Sequence, residues 1–148
     1  MKKGDRMTER GTSAGESRLH HVAVGSADVE RLAAFYREHV GLSELTRHRD
    51  AGGELRSIWL DLGGSVLMIE RTTETPRTVA GVGAGPFLLA FRVSAAERQR
   101  LESVLIANGH PIEGRTPFTS YSRDVDGNRV AFSHYPEHGG LKEPGQTG

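Results

Sequence analysis

His20–Leu42 reads HHVAVGSADVERLAAFYREHVGL, and the succession of patterns inside it decides the fold. With Leu19 in front, LHHVAVG is a short run of apolar and β-branched residues that predicts a strand. Ser26 or Asp28 can cap a following helix in which Val29, Leu32, Tyr36 and Val40 recur at helical spacing, and Gly41 supplies the stop. Further along, Phe87–Val93 (FLLAFRV) repeats the strand, and Ser94-Ala-Ala-Glu97 opens a second helix as a capping box. Leu101, Val104 and Leu105 form its apolar stripe, and Gly109 ends it. Each half then runs into strands: LRSIWLDL, a Gly63-Gly64 turn and SVLMIE in the first, TPFTSYSRD, a turn around Asp126-Gly127-Asn128 and RVAFSHY in the second. Leu88 minus His21 is 67, Gly109 minus Gly41 is 68 and Gly127 minus Gly64 is 63. A doubly wound sheet would need a crossover helix for each strand pair, so the near-constant offset predicts an α+β fold of two βαβββ modules.

At 148 residues the chain can bury one sizeable core and is too short for two ordinary domains. The polar Met1–Ser17 segment (1–17) and the Pro- and Gly-rich tail at 136–148 have little to bury and are expected to be disordered, leaving a domain at 18–135 with modules at about 18–71 and 86–135. Arg71–Pro86 (RTTETPRTVAGVGAGP) reads as the irregular linker between them. Lys plus Arg and Asp plus Glu both number 19, so there is no basic excess to neutralise phosphates, and nucleic acid is not expected as a partner. Neither is a membrane, since no apolar run approaches the roughly 20 residues of a spanning helix. The absence of cysteine excludes disulfides, thiolate ligands and a cysteine nucleophile. Two lysines near the start are followed by no apolar stretch of signal-peptide type, and the expected location is the cytoplasm.

The opening segment, with its strand, acidic-capped helix, Phe35-Tyr36 pair and Gly41-Leu42 stop, resembles that of the vicinal oxygen chelate superfamily, which includes glyoxalases, bleomycin-resistance proteins and extradiol dioxygenases. SRDVDGNRVAF at Ser122–Phe132 resembles the closing hairpin of that superfamily, with Val125 where proline is usual. The resemblance implies that the modules form a cupped mixed sheet around a central cleft, and that chains commonly pair as homodimers. In metal-dependent members a divalent ion sits in the cleft, held from the first and last strands of the modules. Matched to those positions, His21 is the first ligand and Glu70 the best candidate for the carboxylate closing that half, although the 63-residue offset pairs Ala131 with Met68. Leu88 stands where histidine is expected and Ala131 where glutamate is expected. A divalent ion, if the chain holds one, would therefore rest on His21 and Glu70.

Strand alternation assigns a cleft lining without reference to the family. His21 and Ala23 share a face, as do Met68 and Glu70, Leu88 with Ala90 and Arg92, and Ala131 with Ser133; Trp59 and Tyr121 join the lining if their strands have the matching parity. Arg92 is either a partner for an anionic ligand group or the mate of Glu70 in an ion pair. Trp59 is either a stacking platform or core. His20 should point away from His21, and His39, His48, His110, His134 and His138 read as structural or solvated residues, with His48 on a loop. Ser133 and Tyr121 form no recognisable nucleophile arrangement, and GVGAGP before Phe87 lacks the lysine of a phosphate loop.

The resulting expectation is a protein that binds or sequesters a small organic molecule in the cleft. The alternative is a metal-dependent lyase, isomerase or dioxygenase using His21 and Glu70. For a purely structural or regulatory partner-binding module there is no positive feature.

Overall fold

The computed structural model describes residues 17–75, 78–81 and 88–136. The expected disorder of the termini concerns residues that, apart from Ser17 and Pro136, lie outside this set. In the first half, β1 (His21–Ser26) leads into α1 (Val29–Phe35), a π-helical turn (Tyr36–Val40), β2 (Glu44–Arg49), β3 (Leu55–Asp61) and β4 (Val66–Arg71). In the second, β5 (Leu88–Arg92) is followed by α2 (Ala95–Ala107), β6 (Gly114–Arg115), β7 (Thr119–Arg123) and β8 (Arg129–Ser133). The strands form two four-stranded mixed sheets of identical topology, β1-β4-β3-β2 and β5-β8-β7-β6. In each, the first and last strands run parallel and the other neighbours antiparallel. This is the α+β βαβββ repeat that the sequence offsets predict.

The helix ends follow the local chemistry. Asp28, rather than Ser26, caps α1: its Oδ1 accepts the Arg31 N–H at 3.0 Å. Ser26 accepts the Asp28 N–H at 3.1 Å and donates to Asp126 at 2.6 Å. Gly41 closes the π-helical turn at φ 85°, a left-handed conformation that is strained for any residue with a Cβ. In α2, Ser94 accepts the Glu97 N–H at 3.1 Å, but the Glu97 carboxylate turns to Arg100 instead of reaching back, so the capping box is half formed.

Both helices pack on the same side of the sheets, and one core joins the modules. Leu32, Tyr36, Ile58, Leu60, Leu67 and Ile69 from the first module meet Leu101, Leu105, Val130 and Phe132 from the second, all at 1% exposure or less. Polar contacts then lock the junction. The fully buried Tyr36 donates to Asp124 at 2.6 Å, and Asp124 also accepts Asn128 Nδ2 at 2.9 Å and the backbone N–H groups of Asp126 and Asn128 at 2.9 and 3.0 Å. With the helix sides buried, the opposite faces of the sheets remain for a ligand.

Candidate functional site

Strand register settles which side chains share those open faces. On the first sheet His21 pairs with Val66, Ala23 with Met68 and Gly25 with Glu70. Met68 in turn pairs with Trp59, and Glu70 with Ser57. Trp59 is therefore on the open face with Met68, and its indole N–H donates to Glu70 over 3.4 Å. On the second sheet Ala90 pairs with Ala131 and Arg92 with Ser133, while Ala131 also pairs with Tyr121. The face there carries Leu88, Arg92, Tyr121, Ala131 and Ser133, with Ala131 itself buried.

The same register separates the two residues matched to metal ligands. Glu70 lies opposite Gly25, four residues along β1 from His21. At a rise of roughly 3.3 Å per residue this is about 13 Å, whereas a divalent ion of the zinc type needs ligand atoms within about 2.0–2.2 Å. The two modules also superimpose in register: Met68 faces the third residue of β1 as Ala131 faces the third residue of β5. The position related to Ala131 is thus Met68, and the four equivalent positions hold His21, Met68, Leu88 and Ala131, with a single imidazole among them. Among the described residues no group of three or more His, Asp or Glu side chains could hold a metal ion. These residues do not fit a divalent ion.

Two histidines differ from the alternation argument. His20 precedes β1, so strand geometry does not govern it; its Nδ1 lies 2.8 Å from Nδ1 of His21, one imidazole donating to the other at an exposed surface. His48 is on β2, not on a loop, and lies opposite Ser57 with its ring 4.7 Å from that of Trp59. His134 meets Arg98 of α2 at 3.2 Å, as its helix-facing parity requires. His110 packs edge-on against Phe35 at 4.9 Å; burial first, and His39 second, push its pKa below the ordinary histidine value. Arg92 has no ion pair to Glu70, nor to any other described residue.

Two hollows open beside these faces. The larger, about 720 Å³, runs between the edge strands β1 and β5 and is lined by Val22–Gly25, Thr72, Glu74, Thr75, Leu88, Leu89 and Asn128. Gly25 has reason to be glycine there: a Cβ would stand 2.9 Å from Thr72 Cγ2. The smaller, about 240 Å³, is lined by Ala90, Phe91, Arg92, Ser133 and Tyr135. Of the residues singled out from sequence, Leu88 lines the first and Arg92 and Ser133 the second; His21, Trp59, Met68, Glu70, Tyr121 and Ala131 line neither. His48 and Ser57, absent from the sequence-based lining, join it through their pairing. For Ser57 the alternation of Ile58 and Leu60 with Ser57 and Trp59 in LRSIWLDL was an available signal, whereas ELTRHR has no apolar face that would place His48.

The profile of the Glyoxalase/Bleomycin resistance protein/Dioxygenase superfamily matches residues 18–132, and the chain belongs to that superfamily. No curated protein matches it. Among solved structures, the genomically encoded fosfomycin resistance protein FosX from Listeria monocytogenes is similar at a TM-score of 0.67 and 17% identity, over 86% of this chain and 94% of that one. A FosX mutant complexed with Mn(II) and 1S,2S-dihydroxypropylphosphonic acid gives 0.66 and 16%, over 79% and 91%. Lactoylglutathione lyase from Agrobacterium tumefaciens gives 0.58 and 23%, over 80% and 94%. At these identities the likeness concerns the fold.

Proposed function

We propose that this protein binds a small organic molecule between its two modules, and that it does so without a resident divalent metal. The observation that carries the reading is the hollow of about 720 Å³ between β1 and β5. Its size falls in the range of roughly 300–1,000 Å³ usual for small-molecule sites, and its wall mixes aliphatic side chains with a few hydroxyl, amide and carboxylate groups. Membership of a superfamily that includes resistance proteins is consistent with sequestration. The separation of His21 from Glu70, and the apolar residues at Met68, Leu88 and Ala131, weigh against a metal-assisted lyase, isomerase or dioxygenase reaction. Binding belongs with a cytoplasmic homodimer in this reading. No helix among the described residues is long and apolar enough to cross a membrane.

The test is a small-molecule screen read by amide NMR. Binders should shift the resonances of Ala23, Gly25, Leu88 and Leu89 in a saturable way. A broad screen that leaves all four unmoved would remove the proposal.

A further inference from the structure

One row of side chains on the open face of the first sheet is polar, sheltered and incompletely bonded. His48 of β2 lies opposite Ser57 of β3, Ser57 opposite Glu70 of β4, and Glu70 opposite Gly25 of β1, which lines the large hollow. Directly opposed residues in antiparallel strands hold their Cβ atoms within about 4.5–5.5 Å, so His48, Ser57 and Glu70 can all reach one bound group. Ser57 is 0% exposed, yet its Oγ has no hydrogen-bond partner, and His48 Nε2 is equally sheltered and unpartnered. Buried hydroxyls and imidazoles are ordinarily bonded, so two orphans in neighbouring positions mark a place built for a partner from outside the chain.

The surroundings limit what that partner is. Trp59 presents a half-buried ring that packs on His48 at 4.7 Å, an aromatic surface suited to a planar molecule. Its indole N–H is held to Glu70 by one long bond of 3.4 Å, which an entering group can replace at small cost. Glu70 makes no ion pair with a described residue, and its carboxylate can only accept. Ser57 can both accept and donate.

We propose that His48, Ser57, Glu70 and Trp59 form a recognition subsite for a planar aromatic ligand that presents an N–H donor beside a carbonyl acceptor, as a bicyclic lactam does. The N–H is directed to Glu70, the carbonyl to Ser57 or His48, and the ring lies against Trp59, which shifts to admit it. The subsite rests on the reading of the inter-module hollow as a ligand site and extends it along the Gly25 row.

Trp59 is the single tryptophan of the chain, so its indole N–H resonance is unambiguous. The probes are quinazolinone, isoquinolinone and phthalazinone, each with its N-methyl derivative, titrated into the full-length protein. The lactams should move the Trp59 resonance saturably, and N-methylation should weaken binding about ten- to a hundredfold, the worth of one hydrogen bond to a carboxylate. Glu70→Leu should weaken the lactams by a similar factor and leave the N-methyl series unchanged, whereas Ser57→Ala should weaken both series about three- to tenfold, because both keep the carbonyl. Equal affinity in the two series would overturn the proposal, since Glu70 would then play no part in recognising the N–H. Binding that shifts Ala23, Leu88 and Leu89 but never Trp59 would overturn the subsite and keep the hollow; no saturable shift anywhere, from these probes or the broader screen, would remove both.

Discussion

Tyr36→Phe tests the junction that sets the two open faces relative to each other. Tyr36 is fully buried, and its hydroxyl donates at 2.6 Å to Asp124, so the substitution removes one bond and opens no cavity. Burial and the nearby Asp124 carboxylate hold the phenol pKa well above its ordinary value, which keeps the hydroxyl a donor. A hydrogen bond to a charged group is worth about 1.5–3 kcal/mol, and the carboxylate keeps three other donors, Asn128 Nδ2 and two backbone N–H groups. The expected loss is therefore about 2 kcal/mol, or roughly 5–8 °C in Tm for a domain of this size. Urea unfolding at neutral pH should show a lower midpoint with the slope unchanged. The penalty should shrink in acid, where Asp124 is protonated and the bond becomes a neutral one. A loss below about 0.5 kcal/mol at neutral pH would refute the account of Tyr36–Asp124 as the lock between modules.

Ser57→Ala removes a buried hydroxyl that bonds to nothing in the chain, and should stabilise the protein by about 1 kcal/mol; destabilisation in calorimetry would mean that the hydroxyl is satisfied. Asp124 is held above the ordinary carboxylate range, chiefly by burial. Folding then takes up a proton in the window between its unfolded value and the raised folded one, and the stability this group contributes, full below that window, is lost as pH rises through it. Relative to Asp124→Asn the natural chain should gain stability as pH falls through that window, and parallel urea profiles for the two proteins would contradict this. Light scattering at micromolar concentration should show a mass near twice 16.1 kDa; a monomer would leave the open sheet faces without a partner copy.

Much of the architecture was legible because local chemistry and the fold agree. HVAVGS and LLAFR alternate toward a helix-covered core, Ser94 caps α2, and Gly41 and Gly127 adopt the left-handed conformations that their turns require. What escaped depends on pairing between strands. ELTRHR puts Glu44, Thr46 and His48 on one face and an exposed Leu45 with Arg47 and Arg49 on the other, so neither face is apolar and β2 gave no hydrophobic signal, and a register shift between His48 and Arg49 blurs its period further. The faces of Trp59 and Tyr121 follow only from their partners Met68 and Ala131. The choice between Glu70 and Met68 as the residue related to Ala131 likewise turns on two positions of register, which the 63-residue offset indicated and the acidic side chain obscured. The π-helical turn at Tyr36–Val40 kept helical spacing and so read as ordinary helix.

The central claim is that the open faces receive an organic ligand and hold no resident divalent ion, because His21 is the lone ligand-type side chain among His21, Met68, Leu88 and Ala131. Titration of the natural protein with Mn(II), followed by paramagnetic broadening of amide resonances, tests it most directly. The account predicts no stoichiometric site, with any weak broadening confined to the exposed His20–His21 pair. Stoichiometric broadening centred on Met68, Leu88 and Ala131, and lost in His21→Ala, would contradict it.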